Sequence, residues 1–165
     1  MNRKIVVFLD TEKYVLENVI QNKDKIKEAK IIGELIKKGT MIGKIEPTEI
    51  GIITPFRAQI KEITNEMKIG IKDPKMLEEL NSIEISTIDK FQGRDKSLII
   101  ISLSYSNESE NENEMLAYQW NRLNVAFTRA KYKMIIVASL HQIKGKKIFS
   151  ELLEFAHNNN FIHSF

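Results

Sequence analysis

The chain contains no cysteine, which removes disulfides, thiolate metal sites and iron-sulfur clusters from consideration. Its three histidines, His141, His157 and His163, have no ligand-like spacing and read as surface residues. No apolar run approaches the ~20 residues that cross a bilayer, and the apolar part of residues 1–10 is too short for a signal peptide. A soluble intracellular protein without a membrane partner is therefore expected. Net charge is scarce too: the excess is +3, enough to favour a polyanion without demonstrating one. Arginine is used sparingly. Of 25 basic residues only Arg3, Arg57, Arg94, Arg122 and Arg129 are arginine. Lysine suffices for a solvated charge, whereas two-pronged phosphate recognition needs the planar fork of arginine.

What is present is enough apolar material, 42% of 165 residues, for one domain to bury a core without staples. Residues 5–9, 50–53, 83–87, 98–103 and 134–138 are short, mostly β-branched apolar runs that read as buried strands. Between several of them lie helical patterns, at about 24–38 (Ile26, Ala29, Ile32, Ile36), 56–67 (Ile60, Ile63, Met67), 116–130 and 147–157. This alternation predicts an α/β fold with a parallel sheet. Val6, Val7, Leu9 and the 98–103 run lack polar alternation and belong to central strands covered on both faces. The acidic stretch 107–114 reads as an exposed loop. Residues 68–81, with Gly70, Asp73 and Pro74, read as a second surface excursion. No internal repeat and no dividing linker is visible.

Ligands of such a sheet are expected at the carboxyl ends of its strands. Three polar exits qualify: Thr54-Pro55-Phe56-Arg57, Ser86-Thr87, and residues 102–106. A phosphate that is to be hydrolysed needs positive charge delivered to its terminal oxygens as the transition state forms, and Arg129 at the end of a helical pattern is the candidate. Gly93, in the polar turn Phe91-Gln92-Gly93-Arg94, offers a backbone that a phosphate can approach closely.

Three segments, in order, carry a resemblance. Gly51-Ile-Ile-Thr-Pro-Phe-Arg-Ala-Gln59 resembles helicase motif IV, Ser86-Thr-Ile-Asp-Lys-Phe-Gln-Gly-Arg-Asp-Lys96 motif V, and Arg122-Leu-Asn-Val-Ala-Phe-Thr-Arg-Ala-Lys131 motif VI. Together they resemble the second RecA-like motor domain of superfamily 1B helicases of the up-frameshift type, over residues 5–140. Gly-Arg-Asp-Lys-Ser at 93–97 and Phe-Leu-Asp-Thr at 8–11 are most similar to the replication nuclease-helicase that trims Okazaki-fragment flaps.

The resemblance implies one RecA-like domain over residues 1–165, with helices on both faces of a parallel sheet, from a longer helicase. It implies Arg129 as the arginine finger on the γ-phosphate, Gly93 as a backbone contact to that phosphate, and Asp95 as the ribose contact. Gln92 would couple the nucleotide cleft to the strand-binding face. Thr54 and Thr87 would touch the sugar-phosphate backbone of a single strand, with Arg57 a further contact. Plainer readings stand beside these: Arg122 bracing its helix through an ion pair, Asp89 capping a turn, Phe91 in the core, Tyr118 and Trp120 anchoring the motif VI helix. Tyr105 departs from the family, which commonly has arginine there, so a phosphate contact is lost or replaced by stacking.

The chain has no Gly-x-x-x-x-Gly-Lys-[Ser/Thr] phosphate loop, no acidic pair of the Walker B kind and no carboxylate cluster of nuclease type. ATP and Mg2+ are therefore expected to be held mainly by a first RecA-like domain of the same polypeptide, and the isolated chain is expected to be inactive. The expected partner is single-stranded DNA, in the nucleus. Two alternatives stay open: an RNA helicase of the nonsense-mediated-decay branch, which would allow a cytoplasmic setting, and a non-catalytic module binding nucleic acid or a partner.

Overall fold

A computed structural model describes residues 5–12, 23–42, 45–91, 93–104 and 120–164. Six strands form one sheet: β1 (Ile5–Asp10), β2 (Ile50–Thr54), β3 (Glu84–Thr87), β4 (Lys96–Ser102), β5 (Ala130–Ala138) and β6 (Ile162–Ser164), in the order β3-β2-β4-β5-β1-β6. Every neighbouring pair is parallel. Such strands must be covered on both faces, because each parallel connection returns across the sheet. The helices that do this are α1 (Lys23–Ile42), α2 (Arg57–Lys68), α3 (Pro74–Asn81), α4 (Trp120–Thr128), α5 (Leu140–Ile143) and α6 (Lys147–Asn158).

Alternation along the strands sorts the core into two layers. Ile50, Ile52, Leu98, Ile100, Ile135 and Val137 face one layer, packed with Ala29, Ile32 and Ile36 of α1 and Ile63 and Met67 of α2. Ile53, Ile99, Ile101, Met134 and Ile136 face the other, packed with Leu123 and Ala126 of α4 and Phe149, Leu152 and Ala156 of α6. Of the apolar positions predicted for α1 and α2, Ala29, Ile32, Ile36, Ile63 and Met67 are buried and Ile26 and Ile60 half-buried. At the α1/α2 contact a Cβ on Gly33 would lie 2.9 Å from the backbone carbon of Glu66, so only glycine lets the helices approach this closely.

The five predicted strands are all present, and His141, His157 and His163 are exposed. Two elements correct the sequence reading. Residues 68–81 are not wholly a surface excursion: after Gly70 (φ +80°) the chain enters α3, which buries Leu80. Its start is chemically specified, since the Asp73 carboxylate accepts from the backbone N–H groups of Lys75 and Met76, both at 3.3 Å, and Pro74 occupies the first turn, where no N–H is needed. The second is β6, three residues placed beside β1, with the Phe8 N–H donating to the Phe161 carbonyl at 2.8 Å. The helix expected over 116–130 is observed as α4; residues 107–114, Tyr105, Tyr118 and the Trp120 side chain lie outside what the structure describes.

Candidate functional site

Strand register decides where the motif residues meet. Lys96, the first residue of β4, pairs with Ala130, the first of β5. The residues immediately before them, Asp95 and Arg129, are therefore neighbours at the amino edge of the sheet. The Arg129 guanidinium donates through Nη1 to Asp95 Oδ1 at 2.9 Å, through Nε to the Val125 carbonyl at 3.1 Å and through Nη2 to Thr128 Oγ1 at 3.1 Å. Both partners keep solvent access, with side chains 22% (Arg129) and 53% (Asp95) exposed, so a polar ligand can reach the pair.

The segment carrying Asp95 is fastened on both sides. Arg94 pairs with Glu84, and Lys96 Nζ donates to the Thr48 carbonyl at 2.6 Å and lies 3.6 Å from the same Glu84 carboxylate. The Lys96 N–H also donates to the Arg129 carbonyl at 3.1 Å. Phe91, fully buried, plugs the short 3-10 turn Asp89–Phe91 into the core, as its plainer reading expected. Gly93 follows at φ +80°, with no atom within 4 Å of where a Cβ would stand, a left-handed turn open to an approaching group. Gln92 lies outside the described residues.

Between the two strand starts, β5 carries one extra residue against β4: Lys96 pairs with Ala130, but Leu98 pairs with Lys133. This bulge leaves Lys131 and Tyr132 exposed beside Arg129, the kind of re-aiming bulges produce at functional edges. Lys131 Nζ lies 3.7 Å from Glu49 Oε2, which also accepts from Ser97 Oγ at 2.6 Å. The Ser97 hydrogen bond first, and the Lys131 charge next, hold the Glu49 carboxyl below its ordinary range. Arg122 lies 3.4 Å from Asp89, a solvent-exposed ion pair of the kind the plainer reading of Arg122 expected.

The other candidates sit at the opposite edge. Thr54 and Thr87 close β2 and β3 in register with each other. Thr54 is fully buried, its Oγ1 3.4 Å from Ser104 Oγ, and Thr87 is only 9% exposed. Arg57, the first residue of α2, is exposed at the same strand exit. A phosphate can meet Arg57 as the domain stands, whereas contact with the Thr54 hydroxyl requires the exit to open. Six residue steps separate Lys96 from Ser102, so the two edges are roughly 20 Å apart at ~3.3 Å per residue. The candidates therefore divide between two edges: Thr54, Thr87 and Arg57 stand at the carboxyl ends, where the polar strand exits were expected, and Arg129 and Asp95 at the amino ends, because they precede their strands and the register of β4 with β5 carries them there.

Beneath the carboxyl edge lies a buried polar cluster that motif reading did not single out. The Glu28 carboxylate, fully buried, accepts through Oε2 from Ser102 Oγ at 2.5 Å and from the Ser104 N–H at 2.8 Å. Gln59 Nε2 donates to Ser102 Oγ at 3.2 Å and to the Lys25 carbonyl at 2.8 Å. Ser104 is held at φ +52°, unusual for a residue with a Cβ. Gln59 closes the motif IV segment and Ser104 a polar exit, so both had a signal. Glu28 had none, being one polar residue among many on α1. The Asp10 carboxylate completes the edge, accepting from the N–H groups of Leu140 at 3.0 Å and Glu12 at 3.1 Å.

A family model described as an AAA domain matches residues 1–141. A protein named DNA replication ATP-dependent helicase/nuclease DNA2 is 37% identical in Mus musculus over 84% of this chain and 12% of its own length. The protein of the same name in Gallus gallus is 44% identical over 65% of the chain and 10% of its own length. Regulator of nonsense transcripts 1 of Dictyostelium discoideum is 35% identical over 81% of the chain and 10% of its own length. The chain thus spans about a tenth of each relative. Three motifs in order, an all-parallel sheet with helices on both faces and these likenesses agree: the chain belongs to the AAA domain family and is similar to a RecA-like domain of the superfamily 1B helicases, the DNA replication helicase/nucleases among them.

Proposed function

We propose that this domain supplies the arginine finger and part of the single-strand track to an ATP-dependent DNA helicase of replication and repair, working in the nucleus. The observation that supports this best is Arg129, the last residue before β5, presented on the amino edge with its guanidinium held by Asp95, Val125 and Thr128. Helicases of this family depend on nucleotide and magnesium and bind single-stranded nucleic acid. ATP would lie between this domain and a first RecA-like domain of the same polypeptide, whose phosphate loop would hold the triphosphate and its Mg2+. Each domain alone would be inactive.

On this reading Arg129 neutralises charge developing on the γ-phosphate, and Gly93, open at φ +80°, lets its backbone approach that phosphate. Gln92 links the nucleotide to the strand. Asp95 Oδ2 is left for the ribose, Oδ1 being engaged by Arg129. Arg57 takes a strand phosphate directly, while Thr54 and Thr87 join as the carboxyl edge opens. Domain closure around ATP and reopening after hydrolysis then move that edge along the strand. The likeness to a regulator of nonsense transcripts favours one second reading, an RNA substrate. Comparing the unwinding of DNA and RNA duplexes by the intact motor separates the two.

The central test is Arg129→Ala in the two-domain motor. Turnover is expected to fall ~10³-fold or more with a much smaller change in ATP affinity, because the group acts on transition-state charge. Arg129→Lys should fail as well. Near-normal turnover with lysine would show that no planar guanidinium is needed and would overturn the assignment.

A further inference from the structure

We propose that Asp95 is a positioning residue for Arg129, the carboxylate that fixes the arginine fork before any nucleotide arrives; the proposal rests on the finger reading above. An arginine side chain has five N–H donors. Three are engaged within the domain, at Asp95 Oδ1, the Val125 carbonyl and Thr128 Oγ1, which leaves one N–H on Nη1 and one on Nη2. Two donors on adjacent nitrogens are what a tetrahedral phosphate takes in a two-pronged contact. The domain therefore satisfies every guanidinium donor that a phosphate would not need.

The Val125 and Thr128 contacts are local, from the same helix end. Asp95 is the partner that comes from elsewhere in the chain, 34 residues away, and the ion pair it forms is directional. Its own backbone cannot drift, because Arg94 is tied to Glu84, and Lys96 to Thr48, Glu84 and the Arg129 carbonyl. A long, rotatable side chain is thus held by an acceptor that is itself held.

The experiment is a double-mutant cycle in the intact two-domain motor, with turnover measured at saturating ATP and single-stranded DNA. Asp95→Ala is expected to lower kcat by about 10-fold to 100-fold, the loss typical of a misplaced catalytic group, while KM for ATP rises by less than kcat falls. Asp95→Asn, which keeps an acceptor oxygen in the same shape, should recover part of the loss. Arg129→Ala should be insensitive to a further Asp95→Ala, since positioning has no effect once the positioned group is gone. Circular dichroism and melting of each variant check the fold, and the Asn form serves if the Ala form melts early.

Three results would overturn the proposal. Normal kcat in Asp95→Ala beside a large loss in Arg129→Ala would leave a finger that needs no positioning. A rise in KM for ATP that disappears with 2′,3′-dideoxy-ATP would make Asp95 a ribose contact only. Additive losses in the double mutant would place the two residues in separate roles. Normal turnover in Arg129→Ala is distinguishable from all of these and would instead remove the finger reading itself.

Discussion

Gly51→Ala tests whether the core and the candidate site are one mechanical unit. Gly51 lies in β2 between Glu84 of β3 and Ile99 of β4, under the ring of Phe91. An added Cβ would stand 2.5 Å from Phe91 Cζ, 2.8 Å from Ile99 Cδ1 and 3.1 Å from Lys96 Cγ. Ordinary carbon contacts lie at about 3.5–4.0 Å, so something must retreat by roughly 1 Å. Ile99 and the Lys96 stem can rotate, but Phe91 is a rigid ring in a fully buried cluster with Ile53, Ile88 and Ile99. Overpacking of this kind costs about 1–3 kcal/mol, against which the stiffer unfolded chain returns about 0.4–1 kcal/mol. A net loss of about 1–2 kcal/mol should lower the melting temperature of the 165-residue chain by about 2–8 °C in a circular dichroism melt. Phe91→Leu should relieve the clash, so the double variant should lose less than the sum of the singles. A melting temperature equal to or above that of the parent chain, or strict additivity with Phe91→Leu, would refute the packing argument.

Two further predictions concern the edges. Glu28→Ala removes the acceptor of the buried Ser104 N–H and Ser102 hydroxyl, and should cost about 1–3 kcal/mol per orphaned donor in urea unfolding, with Glu28→Gln losing less because an acceptor oxygen remains; equal losses would sink the account. Glu49, held below the ordinary carboxylate range by Ser97 and Lys131, contributes stability that is present above its unfolded pKa and is lost as pH falls through its lower folded value. The stability difference between the parent chain and Glu49→Gln should therefore shrink as pH falls from above the ordinary glutamate value of 4.5 and through the lower folded one. It should also shrink with added salt, since the Lys131 pair is partly exposed, and a difference that stays flat over this range would contradict the linkage.

The strands were legible because unbroken β-branched runs allow few alternatives, and the two faces of α1 and α2 because helical spacing marks them. The Asp73-Pro74 pair is a helix start written in the same two residues that also spell a turn, and eight residues give too little periodicity to decide between them. Three residues of β6 carry no pattern at all and are placed by pairing with β1. At the site, the motif resemblance named Arg129, Gly93 and Asp95 but could not pair two of them. That contact depends on the register of β4 against β5, bulge included, which no local property of either segment specifies. Glu28 was invisible for a related reason: a carboxylate on a helix reads as solvated until the exit of β4 is seen folding back over it.

The division of the candidates between two edges bears on how such a domain could couple chemistry to movement. Motif V, residues 86–96, begins on the carboxyl edge and ends at Lys96 on the amino edge, so one short segment runs from the proposed strand contact to the proposed nucleotide contact. Phe91 pins its middle in the core. A segment anchored at its centre and engaged at both ends passes a displacement at one end to the other only through the anchor, provided the core beneath does not yield. Close packing meets that condition, because interiors of this density transmit strain instead of absorbing it. Gly51 is where the anchor rests on the sheet, which is why loosening or crowding that contact should be felt both in the melting temperature and in the position of Asp95.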